Sequence, residues 1–530
     1  MARRRRDDGG DERDADEVFD FESERDFDDL DLGERIDFGE DDDTDVGAGG
    51  AGAGADGESG GGGGDDGAGE GSGSNRLVVV GLIVLVIAVG VVLSMSFPAS
   101  EQTTTAGGEP LEQVWICPDT PGGGKAGTGT ISIMNLTETA MDGTVTFVSG
   151  DGQAPPDPQP IAVKSFGRTT VDAADAFGGR PGAAIVALPP GAVAVAQQVT
   201  RSAEEPKGVA AFPCSPASST DWYFASGSTK AGRQQSLVLV NPSQDTAIVD
   251  VTFRTDAGEE RPERGNGISL PPRSQTILDV DANLVIRRDA VATVVRTERG
   301  RIVAAQRLSV DGASGFGEAL GTPAGTSTSL LTGGREGGGQ SQAIGVLNTT
   351  GDPGTYTVTV YPDQDGQIVP PLVDQALDPG AATTVDLAEL GSSSTSGFEI
   401  DTTVPAVVDQ MRSFDAGRAY VGAVAQPARR WALPASSDNA RNDSIEVLNP
   451  GSDQVDVDVY AVRSDGGDRL DEVGDGFSLP GGSRATITLS DLDVPQGPSG
   501  IVVAASDAVV AARTFAGNGD RAVEVGTPLP

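Results

Sequence analysis

The chain has 530 residues, a formal net charge of -42, no histidine and two cysteines. Residues 1–76 carry 26 acidic and 8 basic residues, and the rest carries 53 acidic and 29 basic ones, so both parts repel polyanions. This composition excludes nucleic acid and anionic lipid headgroups as favoured partners, and the lack of histidine excludes Ser-His-Asp and Cys-His catalysis and most zinc and copper sites.

An acidic, glycine-rich arm occupies residues 1–76. Residues 7–45 mix acids with scattered Phe, Leu, Ile and Val, whereas residues 47–74 are almost wholly Gly, Ala, Ser, Asp and Glu. The second piece cannot bury enough apolar surface to offset its ordering entropy, so we predict that the arm is disordered. For the first piece two interpretations stay open: a solvated tail, or a short motif whose Phe and Leu residues bind a protein partner.

Residues 77–97 (LVVVGLIVLVIAVGVVLSMSF) form an uncharged apolar run. As a helix this run is about 30 Å long, which is the thickness of the hydrocarbon core of a bilayer. It predicts a single transmembrane helix that leaves the protein embedded in a membrane. A buried core helix and a cleaved signal peptide are the alternatives, and the length of the run and the long segment before it favour the membrane span.

The charges that flank the span predict its orientation. Arg76 precedes it directly, and the first basic residue after it is Lys125. Because basic residues stay on the cytoplasmic side, we expect a cytoplasmic N-terminal arm and an extracytoplasmic C-terminal region in a bacterial cell membrane. Residues 98–111 are predicted to be a short stalk.

Beyond the stalk one pattern occurs four times. Each copy begins at an aromatic residue, replaced by two leucines in the third copy: Trp115, Trp222, Leu330 with Leu331, and Trp431. Roughly 19 residues later an apolar run ends in asparagine: Asn135, Asn241, Asn348 and Asn449. Order, spacing and residue type agree in the four copies, so we predict four tandem repeats at residues 112–217, 218–325, 326–428 and 429–530.

The polarity pattern inside each repeat predicts a mainly β fold. Short segments alternate between apolar and polar residues and are separated by Gly, Pro, Asn and Asp, while helical periodicity is nearly absent. A repeat of about 105 residues suits one β-sandwich-like (Ig-like) domain, in which two sheets bury their apolar faces against each other. The alternative is a β-propeller-like closed assembly, in which each repeat supplies two blades.

The recurring residues have a structural and a functional interpretation. We expect the tryptophans to anchor the core and the asparagines to hold turns at strand ends. Arginines near the last strand, Arg307, Arg412 and Arg513, are predicted to pair with the aspartate that ends a TV or TIL strand, as at Asp279. The functional interpretation is a ligand groove that recurs in each repeat.

The two cysteines lie at the two ends of the first repeat. Cys117 follows Trp115 closely, and Cys214 lies just before the second repeat. We predict a disulfide that joins the first and last strands of this repeat, since disulfides persist outside the cytoplasm. Two free thiols are the alternative.

The motifs resemble those of a known but uncharacterised family. DWYFASG (221–227), LVLVNPS (237–243), VDVTF, IVAAQRL (302–308) and a closing GTP are similar to the WYFAEG, LxLxNP, VxVTF and PIVxER motifs in tandem repeats of actinobacterial envelope proteins. The resemblance covers about residues 111–530 and is clearest in the second repeat. It implies a membrane-anchored extracytoplasmic β protein and no particular activity.

The sequence carries no motif of a defined active site. It has no P-loop, no dinucleotide fingerprint after a strand, no GxSxG elbow and no acidic run with the spacing of a calcium loop, so we expect no cofactor and no metal. We therefore expect a non-enzymatic cell-envelope scaffold or binding and adhesion module, with an envelope glycan or envelope protein as its outer partner. The alternatives are an accessory subunit of an envelope assembly or secretion complex and a carboxylate-dependent glycan hydrolase.

Overall fold

The computed structural model describes residues 112–123, 127–150, 152–202, 206–311, 315–334, 341–364, 366, 368–385, 387, 395–414, 417–517 and 519–530. The predicted arm, membrane span and stalk lie outside these residues. Within them, no helix is both long and apolar enough to cross a membrane. The repeat boundaries stay predictions, and we use the four predicted ranges as names.

The described part of the chain is mainly β, as predicted. In the first and second repeats the strands are β1 (Gln113–Cys117), β2 (Thr128–Asn135), β3 (Met141–Ser149), β4 (Gln159–Val163), β5 (Gly167–Asp172), β6 (Gly182–Leu188), β7 (Val193–Arg201), β8 (Gly208–Pro213), β9 (Asp221–Phe224), β10 (Arg233–Asn241), β11 (Ala247–Thr255), β12 (Gly258–Glu260), β13 (Ile268–Leu270), β14 (Ser274–Asp279), β15 (Val291–Arg299), β16 (Val303–Val310) and β17 (Phe316–Leu320).

In the third and fourth repeats the strands are β18 (Thr326–Leu331), β19 (Ser341–Asn348), β20 (Gly354–Pro362), β21 (Leu372–Leu377), β22 (Ala382–Val385), β23 (Ser396–Phe414), β24 (Gly417–Gly422), β25 (Ala428–Leu433), β26 (Ser444–Asn449), β27 (Val455–Val462), β28 (Asp471–Leu479), β29 (Ser483–Thr488), β30 (Gly500–Gly517), β31 (Asp520–Val525) and β32 (Thr527–Pro528). Among the described residues, helical structure is confined to short pieces: α1 (Ala174–Phe177), α2 (Val280–Asn283) and the 3-10 turns Glu263–Gly265, Ala440–Asn442 and Leu489–Asp491.

The same antiparallel pairing order recurs in the four repeats. In the first repeat β1 pairs with β6, β6 with β3 and β3 with β4, and we call this set the opening sheet. The closing sheet runs β5-β2-β7-β8. In the second repeat the opening sheet is β9-β15-β11 and the closing sheet is β14-β10-β16-β17. In the third repeat they are β18-β23-β20-β21 and β22-β19-β23-β24. In the fourth repeat they are β25-β30-β27-β28 and β29-β26-β30-β31.

One long strand serves both sheets in the third and fourth repeats. The first half of β23 pairs within the opening sheet, and its second half pairs within the closing sheet. The 18-residue strand β30 does the same. In the first and second repeats this strand is split into β6 with β7 and β15 with β16, so the polypeptide crosses between the sheets at the same place in each repeat.

Neighbouring repeats meet where an opening sheet touches the next closing sheet. The end of β3 pairs in parallel with the start of β14 through Ser149 and Ser274. Asp363 and Arg484 form the corresponding bridge between the third and fourth repeats. The backbone N–H of Arg168 donates to the carbonyl of Arg463 at 2.9 Å, so the fourth repeat contacts the first in the same way.

The last strands of the repeats meet at one centre. The four closing strands, β8, β17, β24 and β31, pack in a cyclic order in which β8 contacts β17 and β31, and β24 contacts the same two strands. Closure therefore comes from packing between repeats, and the sheets of the described residues form no closed barrel and no propeller. The alternative prediction of a propeller is wrong for this part of the chain.

The four asparagines hold the same pair of turns together. Asn241 is fully buried, and its Nδ2 donates to the carbonyls of Asp245 (2.7 Å), Leu270 (3.1 Å) and Pro271 (3.0 Å). Its Oδ1 accepts from the backbone N–H of Ser243 at 3.1 Å. Asn135, Asn348 and Asn449 bond to backbone groups at the matching positions of their repeats.

We predict that Asn241→Ala lowers the free energy of unfolding by about 2 to 3 kcal/mol, because several buried backbone groups lose their partner. Urea denaturation of the two proteins measures the difference. Asn266→Ala is the matched control, since Asn266 is exposed and its replacement should leave the denaturation midpoint unchanged. Equal midpoints for both variants would contradict the anchoring role.

The three tryptophans share one position, but the third repeat differs from the sequence prediction. Trp222 and Trp431 are buried, and their Nε1 atoms donate to the carbonyls of Ile302 (2.9 Å) and Val509 (2.8 Å). Trp115 has the same register against its neighbouring strand. In the third repeat the strand position that corresponds to the tryptophans is held by Ser329. The prediction that Leu330 and Leu331 hold this position is therefore wrong by one or two residues.

The predicted disulfide between Cys117 and Cys214 is confirmed. Both residues are buried, their Cα atoms are 4.5 Å apart, and 97 residues separate them in sequence. Beside the bond, Ile116 and Ser215 exchange two backbone hydrogen bonds of 2.8 Å. The bond therefore ties β1 to the segment that leaves the first repeat.

We predict that reduction of this disulfide lowers the free energy of unfolding by about 2 to 4 kcal/mol, because it closes a long loop of the unfolded chain. Thermal denaturation with and without dithiothreitol measures the effect. The double variant Cys117→Ala/Cys214→Ala is the control: it should start from the lower stability and not respond to the reductant. A wild-type protein that is equally insensitive would contradict the prediction.

Candidate functional site

Buried ion pairs lie where the repeats meet, and they involve the predicted arginines. Arg307 pairs with Glu318 at 2.9 Å and with Asp119 of the first repeat. Arg412 of the third repeat pairs with Glu446 of the fourth at 2.8 Å. These joints place charged groups between repeats, where desolvation makes their pairing obligatory.

The prediction that these arginines pair with the aspartates after TV or TIL strands is wrong. Arg513 pairs with Asp443 at 2.6 Å, inside the fourth repeat. The three arginines also occupy three different positions in the strand register. The residue four before each repeat's asparagine serves as the reference position. Arg513 pairs directly with this residue in the fourth repeat. In the second and third repeats, Arg307 and Arg412 lie one and two residues beyond the residue that pairs with it.

Three buried glutamines hold the position of Arg513 in the other repeats: Gln197, Gln306 and Gln410. The sequence motifs did not reveal these four residues as a set. Gln197 Nε2 donates to the carbonyl of Asp119 at 3.1 Å, and Gln306 Nε2 donates to the carbonyl of Ser226 at 2.6 Å. Each fixes the segment that follows the first strand of its repeat. Unequal loop lengths between the asparagine and this position hid the correspondence.

A single carboxylate lies at the centre of the four closing strands. Asp520, the first residue of β31, is 2% exposed. Its Oδ2 accepts from the backbone N–H groups of Val209 (3.0 Å) and Phe316 (3.2 Å). Its Oδ1 accepts from those of Arg418 and Arg521, both at 2.7 Å. The four donors come from the four repeats and hold the same place in each closing strand.

Glycines in the other three repeats make room for this carboxylate. Gly208, Gly315 and Gly417 hold the place of Asp520, and a Cβ at any of them would overlap a carboxylate oxygen. We call these four positions the axial junction. Burial raises the pKa of Asp520 to about 6, against the opposing effect of the four N–H donors, so the carboxyl is ionised at neutral pH.

A groove of about 740 Å³ lies where the fourth repeat meets the first. Its volume lies in the range of small-ligand sites. We call it the junction groove, and we define it by two aromatic residues and three arginines: Phe166, Tyr460, Arg430, Arg463 and Arg469.

Charged groups line the junction groove in both signs. Asp471, Glu472 and Asp493 face it together with the arginines. Arg463 is held by Asp471 at 3.0 Å. Within the part of the chain that the structure describes, neither Arg430 nor Arg469 forms an ion pair with a carboxylate, so their guanidinium groups are available to a ligand.

Tyr460 lies on the outer face of the opening sheet, directly beside Glu472 and Val502 in the strand register. Burial raises the pKa of Tyr460, and Asp458 and Glu472 raise it further, whereas Arg430 lowers it. The phenol therefore stays protonated at neutral pH and can donate a hydrogen bond beside Arg430.

Phe166 enters the groove from a left-handed turn position. Its φ is 43°, and the matching turn positions of the other repeats, Arg273, Gly380 and Gly482, also have positive φ values of 50°, 60° and 64°. Two of the four repeats use glycine there, as this conformation favours. A bulky aromatic residue at this φ is strained, and such strain is retained in proteins mainly at functional sites.

A second, smaller groove of about 290 Å³ has the same place between the second and third repeats. Val294 and Gly380 line it, and these residues correspond in the strand register and the turn to Val502 and Phe166 of the junction groove. Tyr223, Arg254 and Arg296 are also part of its wall. Two of the junctions between repeats therefore carry a cleft with tyrosine and arginine.

A comparison with protein-family models finds a match over residues 181–409 and 399–528 to a family of unknown function (DUF5719). The chain belongs to this family. No curated protein and no solved structure matches the chain. The sequence-based expectation of an uncharacterised family is thus confirmed at this level.

The two matches to the DUF5719 family begin at the same strand of their repeats. The first begins at residue 181, just before β6, and the second begins at residue 399, in the first half of β23. Arg430, Tyr460 and Asp520 lie within the matched residues, whereas Phe166 lies before them. Among the residues that the structure describes, no group of three or more Cys, Asp or Glu is placed to hold a metal ion.

Proposed function

We propose that the protein is a non-catalytic scaffold and binding module of a bacterial, specifically an actinobacterial, cell envelope. In this proposal residues 77–97 cross the membrane once, the acidic arm stays in the cytoplasm, and four β-sandwich modules are displayed outside. The observation that carries the proposal is the closure of the repeats around the axial junction, which makes one body out of the region from residue 112 to residue 530.

Closure distinguishes this body from a flexible string of domains. Met134, Leu136 and Ala194 of the first repeat pack with Ala432, Val462 and Val502 of the fourth. Arg168 Nε also donates to the carbonyl of Pro434 at 2.8 Å. Because the first and last repeats are fixed to each other, the grooves between repeats keep constant distances, which suits a platform that holds partners in register.

The anchor and the arm complete the proposal. The stalk at residues 98–111 would connect the span to β1, the strand that the disulfide ties to the end of the first repeat. A disulfide fits an oxidising compartment, which supports an extracytoplasmic location for this region. The Phe and Leu residues of the arm would offer contacts to a cytoplasmic protein.

The test has two parts on the full chain. Protease added to intact cells should digest the region beyond residue 100 and spare the arm, and purified full-length protein should retain envelope material from a detergent extract. Protection of the C-terminal region, or no retained envelope glycan or protein, contradicts the proposal. Turnover of an envelope glycan that is lost on a single Asp or Glu substitution contradicts its non-catalytic part.

A further inference from the structure

We propose that the junction groove binds a segment of a neutral glycan. This inference rests on the proposed function and names the ligand of one site within it. The groove combines donors, acceptors and aromatic surfaces in one cleft at the closure of the four repeats.

The polar groups of the groove match sugar hydroxyls, which both donate and accept hydrogen bonds. Arg430 and Arg469 supply donors that no carboxylate of the described residues occupies. Glu472 and Asp493 supply acceptors on exposed side chains. A ligand with only acceptors would leave these carboxylates unmatched, whereas a polyol satisfies both kinds of group.

The aromatic residues give the groove its apolar surfaces. Tyr460 and Phe166 are half-buried and lie on the two repeats that form the cleft. An aromatic ring offers a large apolar face at a low cost in side-chain entropy, and the C–H faces of sugar rings pack on such surfaces. The strained turn of Phe166 is then explained, because glycine would relieve the strain and remove the surface.

Charge selects a neutral glycan over an acidic one. The chain has a net charge of -42, and the groove itself has three arginines and three carboxylates. The surrounding negative potential repels a polyanion, and the groove has no excess of positive charge to offset this repulsion. A volume of about 740 Å³ accommodates a short run of sugar units.

The test uses the full chain, purified in detergent and immobilised, with polysaccharides of the cell envelope separated by anion exchange into a neutral and an acidic fraction. We expect the wild-type protein to retain the neutral fraction. The double variant Arg430→Gln/Tyr460→Ala should retain at least tenfold less of it. Arg429→Gln is the matched control, since Arg429 precedes Arg430 in β25 but forms an exposed pair with Asp507, and it should retain the wild-type amount.

Phe166→Gly separates binding from folding. Its melting temperature should be no lower than that of the wild type, because glycine tolerates a φ of 43°, yet its retention of the neutral fraction should fall. Retention of only the acidic fraction, retention of neither fraction, or equal retention by the double variant would overturn the inference. If the protein still retains any envelope glycan or envelope protein in those cases, the proposed function stands; if it retains no envelope material, the proposed function fails as well.

Discussion

Replacing Asp520 by alanine should lower the free energy of unfolding by about 3 to 5 kcal/mol at neutral pH. The change leaves four backbone N–H groups without an acceptor, at a cost of about 1 to 3 kcal/mol each, and the release of a buried charge offsets part of that sum. Three of these donors belong to other repeats, so the loss acts on the closure and not on one module. Equilibrium denaturation in guanidinium chloride, followed by tryptophan fluorescence, measures the change.

Two further variants identify the carboxylate as the cause. Asp520→Asn keeps one acceptor oxygen and should fall between the wild type and alanine. Asp520→Gly places four glycines at the axial junction and opens a space lined by the four N–H groups, so added formate should restore part of the lost stability as its concentration rises. Asp507→Ala removes an exposed carboxylate of the same repeat and should change little. If alanine and glycine at position 520 behaved like Asp507→Ala, the axial carboxylate would have no structural role.

Features set by short stretches of sequence were predictable. Each asparagine acts on turns close to it in space and at a nearly constant distance along the chain, so the same local chemistry is repeated in each copy. The alternation of polar and apolar residues predicted the β fold for the same reason. The disulfide followed from the position of two cysteines at the ends of one repeat.

Features made between repeats were not predictable in this way. The axial junction consists of Gly208, Gly315 and Gly417 together with Asp520. In the sequence nothing distinguishes these three glycines from other loop glycines, or Asp520 from the other acidic residues among the 79. The arginines were grouped because they follow similar motifs, but loops of unequal length shift them in register. Arg412 therefore meets a glutamate of the next repeat, which no local pattern indicates.

The junction groove was hidden for a related reason. Phe166 and Tyr460 are almost 300 residues apart in sequence and meet only because the fourth repeat returns to the first. The sequence suggested a ligand groove that recurs in each repeat, whereas the junction groove and its smaller counterpart lie between repeats. The residues of these clefts come together only when the repeats close on each other. Ligand binding there therefore depends on the stability of the joints between repeats.

The joint between the third and fourth repeats is expected to be as sensitive as the axial junction. Glu446 accepts from Arg412 Nη1 at 2.8 and 2.9 Å and from Thr332 Oγ1 at 2.8 Å. The Arg412 and Glu446 side chains are 3% and 12% exposed. Glu446→Gln leaves a buried guanidinium without its counter-charge and should cost about 3 to 5 kcal/mol, whereas Arg412→Met/Glu446→Leu removes both members of the pair and should cost less than the single change.

The same pair predicts loss of stability in acid. Burial alone would raise the pKa of Glu446, but Arg412 and Arg484 lower it from 4.5 to about 2. Because the folded-state pKa lies below the unfolded one, the stabilisation is present above about pH 4.5 and is lost as the pH falls through about 2. The shift corresponds to about 3 kcal/mol.

Denaturation of the wild type and of Glu446→Gln at intervals from pH 7 to pH 2 tests this expectation. The difference in free energy between the two proteins should stay constant down to about pH 4.5 and shrink by about 3 kcal/mol below it, because glutamine cannot titrate. Other carboxyl groups titrate in both proteins and cancel in the difference. A difference that is independent of pH would show that the charge of Glu446 does not stabilise the joint.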